Sequence, residues 1–283
     1  MSGSNQAKHE DAVATMQDWW RTDIIEMSPG SIRYRGYAIE ELIGNVSFAQ
    51  MIWLMVRGGL SSPEQARLLE AALVAGVDHG PQAPSIAIAR MASTCGVGLN
   101  NAMASALNVL GDVHGGAGQQ AVEIYTSISQ RVDQGAPLQQ ACEQELDAFW
   151  QSGNKFVPGF GHRFHPIDPR APRLLALVDA ARDEGVVSGK YAEIGRCVET
   201  VIKQRKGRHI PMNIDGATAV IYAELGFEPA LARGLFCLSR SVGILAHAWE
   251  QMQEPTRNKG PIPRQYIWRY TGEPARNLEG GNE

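Results

Sequence analysis

Arg233-Gly234-Leu235-Phe236-Cys237-Leu238-Ser239-Arg240-Ser241-Val242-Gly243-Ile244-Leu245-Ala246-His247-Ala248-Trp249-Glu250-Gln251 sets the fold class. Leu235, Leu238, Val242, Leu245 and Trp249 recur at spacings of three and four, which makes one apolar stripe on a helix. Arg233, Arg240 and His247 recur at seven and share another face. Arg240 sits among small and apolar residues, so it is less solvated than Arg233 and wants an anionic partner.

The same periodicity runs outward in both directions. It predicts helices over 38–43, 47–57, 62–75, 84–93, 100–110, 119–130, 138–151, 170–184, 190–204, 216–225 and 229–253. Ser62-Pro63-Glu64-Gln65 is an N-terminal signal with proline in the first turn. The one short strand candidate is Ser31–Tyr37. Neither an internal repeat nor a low-complexity tract appears. The expected fold class is all-α, with a disordered start over Met1–Asp11 and an extended tail from Asn258.

Composition narrows the function classes. The 283 residues carry 44% hydrophobic and 20% charged side chains, the balance of an ordinary globular protein. A net charge of −4 argues against nucleic acid or an anionic membrane as partner. Apolar runs such as Met51–Val56 are too short to span a bilayer, and no signal peptide opens the chain. Cys95, Cys142, Cys197 and Cys237 are widely spaced without a CxxC pair, which fits a reduced cytoplasmic protein.

Three non-helical stretches carry the chemistry. Val157–Arg170 packs three prolines, two glycines, two histidines and two arginines into fourteen residues, and reads as a rigid loop presenting imidazole beside cations. Gly111–Ala117 sets His114 among small residues, and Asn213–Ala217 does the same for Asp215. Small neighbours let a ligand approach the backbone, and two histidines with an aspartate make an acid–base set. Plainer readings stand beside these. His114 is also a turn histidine by context, and His162 with His165 is also a metal-ligand spacing, without a second pair. Asp215 also suits a helix N-cap, Arg170 a helix start, and the basic run Lys203–Arg208 a solvated face.

Taken together, these segments resemble the citrate synthase superfamily. The matching pieces are His-Gly-Gly-Ala at 114–117, Pro-Gly-Phe-Gly-His at 158–162 with Asp-Pro-Arg at 168–170, Asn-Ile-Asp-Gly at 213–216 and Ser-Arg-Ser-Val-Gly-Ile-Leu-Ala-His at 239–247. Arg33–Tyr37 looks like the family's early Arg-Gly-Tyr segment. The chain is shorter at its N-terminus than full citrate synthases. With Asp78-His79-Gly80 and Gly111-Asp112 it looks closest to citryl-CoA lyase and the lyase module of ATP-citrate lyase.

The resemblance implies a two-domain helical fold. Residues 1–114 and 222–283 would form the large domain, with 1–29 partly disordered, and 115–221 a smaller inserted one, the site lying in a cleft. It implies retro-Claisen cleavage of citryl-CoA to acetyl-CoA and oxaloacetate, with citrate or 2-methylcitrate synthesis as the alternative and an inactive CoA-binding regulator as a third. His114 would bond the thioester oxygen, Asp215 would move the α-carbon proton, and His162 would bond the oxaloacetate carbonyl. His79, Arg170 and Arg240 would hold substrate carboxylates. Val157, Pro158, Gly159, Phe160 and Gly161 would offer backbone groups to CoA, and Lys206 and Arg208 would meet its phosphates. No metal or permanently bound cofactor is implied; the CoA thioester is substrate. A homodimer is expected, with the helices at 47–57 and 100–110 as interface candidates, and a separate citryl-CoA synthetase as a possible partner. One departure stands out: Ile262 occupies the place of the family's trans-acting arginine, with Arg264 and Arg269 nearby.

Overall fold

The computed structural model describes residues 13, 15, 16 and 18–277. The disorder expected over residues 1–11 lies outside the described residues, Arg21–Ile24 and the first strand lying within them. The chain is mostly helical, as expected for an all-α fold. Contact density divides it into two units, Met1–Ala75 with Ala117–Phe236, and Gly76–Gly116 with Cys237–Glu283. The division expected from the resemblance, with breaks after 114 and 221, draws other lines and stays an expectation.

The first unit opens with a small antiparallel sheet, β1 (Ile25–Ser28), β2 (Ser31–Tyr34) and β3 (Tyr37–Ala38). Ser28 pairs with Ser31 across a two-residue corner, where Pro29 fixes one φ and Gly30 takes the other at +77°. The sequence reading missed β1, although Pro-Gly between two alternating runs is a hairpin signal. Arg35, at φ +50°, makes the next corner with Gly36. This left-handed arginine is tied down: its guanidinium meets Asp23 at 2.6 Å and the Met55 carbonyl at 3.0 Å.

Helices α1 (Ile39–Leu42), α2 (Phe48–Arg57) and α3 (Pro63–Ala75) follow. Both α2 and α3 begin with a reciprocal cap, Ser47 with Gln50 and Ser62 with Gln65. After the second unit's first segment come α6 (Ala117–Asp133), α7 (Leu138–Gln151), α8 (Arg170–Asp183), α9 (Lys190–Lys206) and α10 (Ile214–Glu224). Every residue from Gly216 to Ala223 is buried, so α10 is the central helix of this unit, packed by α3, α6, α8 and α9. Gly195 of α9 faces Met212 and Val220, where a methyl group would clash. Ile52, Trp53 and Leu54 of α2 lie in the interior while Phe48 and Val56 are exposed, and the interface expected of that helix stays an expectation.

The second unit contains α4 (Pro84–Ser93), α5 (Leu99–Leu107) and the C-terminal part of α11 (Pro229–Gln253). Its core is built from Ala83, Ile86, Ala89, Ala102, Ala106, Ile244 and Ala248, small side chains that bring helices close. Ala102 and Ala106 turn one face of α5 inward, and the interface expected of that helix stays an expectation. At 25 residues α11 has the length and mean hydropathy of a membrane span, contrary to the reading from short apolar runs, but Arg233, Arg240 and Glu250 interrupt it. The apolar stripe is real, and beyond Leu235 it faces outward: Leu238, Val242, Leu245 and Trp249 are exposed, whereas Arg240 is buried at 5% exposure. The tail from Asn258 to Asn277 carries no helix or strand and is pinned where Lys259 N–H donates to Thr94 Oγ1.

Candidate active site

In the first unit the loop at 157–162 pairs with 211–213 through a short antiparallel ladder. Gly161 N–H donates to the Pro211 carbonyl at 2.8 Å, and Asn213 N–H to the Gly159 carbonyl at 2.9 Å. Asn213 Nδ2 adds a bond to the Gly161 carbonyl at 2.6 Å. Gly159 and Gly161 hold φ of +85° and +82°. Val157 and Phe160 are buried in the core. The backbone groups expected to serve CoA are therefore largely engaged already: the Gly159 and Gly161 carbonyls and the Phe160 and Gly161 N–H groups bond within the protein. Each engaged carbonyl keeps a second lone pair, and CoA contact by this loop stays an expectation.

His162 follows directly. Its Nδ1 accepts the backbone N–H groups of Phe164 and His165, each at 3.1 Å. The neutral ring therefore carries its proton on Nε2. Burial pushes the His162 pKa down; Asp168 opposes this, while His165 and Arg170 add to it. The His162 and His165 rings stack with centroids 4.7 Å apart, yet no group of three or more His, Cys, Asp or Glu suited to a metal occurs among the described residues.

Asp168, at 1% exposure, organises what comes next. Its Oδ1 accepts from Arg170 Nε at 2.9 Å and from Arg170 N at 3.1 Å; its Oδ2 accepts from Arg170 Nη2 at 2.9 Å and from Ile214 N at 3.0 Å. Although burial alone would raise it, these bonds and the Arg170 charge bring the Asp168 pKa down to about 2. Arg170 also reaches the Ala75 carbonyl through Nη1 at 3.5 Å. Its Nε edge is committed to Asp168, so a substrate carboxylate has the Nη edge to grip.

Asn213 caps α10, accepting from Asp215 N at 2.9 Å and Gly216 N at 3.3 Å. Asp215 lies inside the first turn, so the cap reading for it is replaced: Asn213 does that job. Its negative charge near the helix N-terminus is favoured by the macrodipole. The Asp215 charge also joins burial in pushing the Tyr222 phenol up. Gly216 packs directly on Gly159, whose Cα–N region leaves no room for a side chain.

The basic run 203–208 is exposed. Lys206 lies over the Trp150 ring at 4.7 Å, and Arg205 pairs with Asp147 at 2.7 Å. Arg208 is exposed beyond the α9 C-cap, Gly207.

The second unit holds His114 in a tight turn, closed by Gly111 N–H donating to the His114 carbonyl at 2.9 Å. A methyl group on Gly116 would collide with Asp112. His114 Nε2 accepts the Ser85 backbone N–H at 3.2 Å and lies 3.0 Å from Ser85 Oγ. Ser85 is in the first turn of α4, so a helix-terminal amide fixes the neutral ring with its proton on Nδ1. Burial lowers the His114 pKa, and the Arg240 charge lowers it further. Arg240 Nε donates to the Gly76 carbonyl at 3.1 Å. His79 is exposed, in a turn where Gly80 N–H donates to Asp78 Oδ2 at 3.0 Å. His247 holds that turn, its Nε2 lying 3.2 Å from Asp78 Oδ1, while Arg90 contacts its Nδ1 at 3.2 Å. Burial would raise the Asp78 pKa, but the Gly80 N–H and His247 bring it net below its ordinary value.

Sequence reasoning quoted Asp168, Asn213 and His247 within motifs without giving them work, and it passed over Ser85. Asn at the residue before a buried helix is a cap signal that was available. Nothing local marks Ser85 or His247, whose partners lie far along the chain.

Comparisons with known proteins give the family. Residues 55–271 match the family described as citrate synthase, C-terminal domain. The citrate synthase of Acidithiobacillus ferridurans is 30% identical over 82% of this chain and 57% of its own, and that of Haloferax volcanii 30% over 77% and 54%. The chain thus spans about half the length of these curated relatives. Among solved structures, citryl-CoA lyase from Hydrogenobacter thermophilus superposes with a TM-score of 0.80 at 32% identity, covering 92% of this chain and 97% of that one. ATP citrate lyase from Methanothrix soehngenii, solved with citrate and coenzyme A, shares the fold at a TM-score of 0.75, 21% identity and 44% of its length. With a match running through most of its residues, from 55 to 271, the chain belongs to the citrate synthase family.

Proposed function

We propose that this protein is a citryl-CoA lyase. One observation carries the reading: the Hydrogenobacter lyase superposes on 92% of this chain with a TM-score of 0.80 at 32% identity. In cleavage the bond between the carbinol carbon and the thioester α-carbon breaks. Its electrons move into the thioester as an enolate. In this reading His162 Nε2–H stabilises, as alkoxide, the oxygen that becomes the oxaloacetate carbonyl. His114 Nδ1–H stabilises the enolate oxygen. Asp215 delivers the proton that makes the acetyl methyl group. The hydroxyl proton leaves to water, and Asp215, protonated at the start, gives its proton to carbon and is reloaded from water, so protons balance and the step is redox-neutral. Arg170, Arg240 and His79 hold carboxylates, and Lys206 and Arg208 meet CoA phosphate. Both histidines are supported as neutral donors by their depressed pKa values.

A synthase of citrate or 2-methylcitrate is the second reading, favoured by the names of the sequence relatives. Ile262 in place of the trans arginine keeps the acceptor acid open. An inactive CoA-binding regulator is a third. Four cysteines outside any disulfide support a reducing compartment such as the cytoplasm. The outward stripe of Leu238, Val242, Leu245 and Trp249 supports a homodimer. A separate synthetase would supply citryl-CoA.

The test is turnover of citryl-CoA with all four products followed. Acetyl-CoA and oxaloacetate without free CoA support the lyase; free CoA with citrate supports the synthase. Asp215→Asn should lose turnover while still binding CoA, and full activity in that variant would remove Asp215 from the mechanism.

A further inference from the structure

We propose that Glu199 of α9 is a positioning residue for His162 and Asp215, acting through the backbone of Met212. The inference rests on the lyase reading for what those two groups do. Residues 211–213 run beside the loop at 157–162, with the Pro211 carbonyl and the Asn213 N–H facing that loop. Backbone groups alternate sides along an extended chain, so the Met212 N–H faces the other way. There Glu199 stands where a further strand would, its Oε2 accepting the Met212 N–H at 2.9 Å. Met212 is buried at 3% exposure, so this N–H has no water to turn to. The other oxygen, Oε1, accepts from His209 Nε2 at 2.6 Å. One carboxylate therefore holds the segment at both ends, 209 and 212.

The helix is shaped for the same contact. Gly195 lies one turn before Glu199, on the same face of α9. A Cβ there would fall 2.6 Å from Met212 Cε. The helix thus gives Met212 a glycine for its side chain and a carboxylate for its amide. On the opposite side, a Cβ on Gly216 would fall 2.7 Å from Met212 Cγ. Met212 is wedged between α9 and the first turn of α10, the turn that carries Asp215.

The next residue passes this placement on. Asn213 Oδ1 accepts from Asp215 N and Gly216 N, and Asn213 Nδ2 donates to the Gly161 carbonyl, directly before His162. Both proton-handling groups leave the backbone within three residues of Met212 or of its ladder partner Phe160. Without the acceptor behind it, the strand can shift and carry Asp215 and His162 out of register with a bound thioester. The carboxylate grip is less affected, because three of the four bonds to Asp168 come from Arg170 itself.

The experiment compares Glu199→Ala and Glu199→Gln with wild type in citryl-CoA turnover and in amide hydrogen exchange read by mass spectrometry. Glu199→Ala should lower kcat by about tenfold to a hundredfold while KM moves by less than about threefold. Glu199→Gln should recover most of the rate, since its amide oxygen still accepts from Met212. Exchange in Glu199→Ala should quicken in peptides covering 157–162 and 209–216 and stay unchanged elsewhere. Should Glu199→Ala fail to fold, Glu199→Asp takes its place: the shorter carboxylate keeps the charge but draws back from Met212, and should be slower than Glu199→Gln. Wild-type kcat in Glu199→Ala overturns the proposal, as does Glu199→Gln no faster than the alanine or aspartate variant. Exchange that quickens evenly along the chain also overturns it, since Glu199 would then support only the fold. A wild type that does not turn over citryl-CoA removes the lyase reading instead. The exchange comparison then decides the brace, which local quickening upholds and unchanged protection overturns.

Discussion

Asp168 grips Arg170 from two residues away, one carboxylate oxygen on Nε and the other on Nη2, each at 2.9 Å. The same carboxylate accepts from Ile214 N, so a single buried charge aims the guanidinium and anchors the start of α10. Asp168→Asn removes the charge and one acceptor. It should cost about 2–3 kcal/mol, toward the low end for a broken buried pair because Arg170 keeps some solvent. Calorimetry should show the lower Tm, and KM for a carboxylated thioester should rise more than kcat falls. An unchanged Tm and KM would mean the pair positions nothing.

The same carboxylate predicts an acid limit. Its pKa is lowered to about 2 from an ordinary 3.8, so its stabilisation is complete above pH 3.8 and disappears as pH falls toward 2. Wild type should lose stability over that window faster than Asp168→Asn does, as followed by urea melts at stepped pH.

His114 and His162 both titrate below the ordinary 6.5, and both are needed as neutral donors. Activity should therefore be flat from pH 6.5 upward and fall only below that value. A kcat/KM profile with a rise centred above 6.5 contradicts the neutral-donor assignment.

Gly159 and Gly216 touch backbone to backbone. A Cβ on Gly159 would lie 2.7 Å from Gly216 Cα, and one on Gly216 would lie 2.4 Å from the Gly159 carbonyl. Neither neighbour is a side chain that can swing away. Each alanine substitution should destabilise by more than ~3 kcal/mol, overpacking added to left-handed strain at 159. Thermal melts measure this directly.

Gly243 of α11 makes a similar contact, its added Cβ falling 2.2 Å from the Val77 carbonyl. Gly243→Ala should displace the turn at 77–80 that carries His79, raising KM at nearly unchanged CoA binding. Crystals of the variant would show whether the turn has moved.

If the outward stripe of α11 is a subunit interface, Val242→Glu with Leu245→Glu should convert dimer to monomer in sedimentation velocity. A wild type that already sediments as a monomer rules the interface out.

The helices were legible because periodicity records burial along one element. Observed α2, α4, α7 and α11 end within a residue of the boundaries expected from spacing alone. Direction was not legible. The stripe through Leu238, Val242 and Trp249 reads as a core face, yet the buried face is that of Arg240, Ile244 and Ala248. Periodicity separates two faces and does not say which one meets the rest of the chain. In the site, the motif residues stood out by their small neighbours. Their supports did not, since Ser85 lies 29 residues from His114 and Asp168 lies 46 from Ile214. Only folding reveals such partners.

The cap at Asn213 divides labour between neighbours. Because Asn213 takes the helix-end amides, the side chain at 215 is not the cap, and deleting its acidity costs α10 a dipole interaction of under about 1 kcal/mol and not its cap. A charge-neutral variant at 215 should therefore be a well-folded, stalled protein that keeps its thioester intact. Such a variant is a ready trap, with which the unknown acyl acceptor could be fished from a mixture of metabolites.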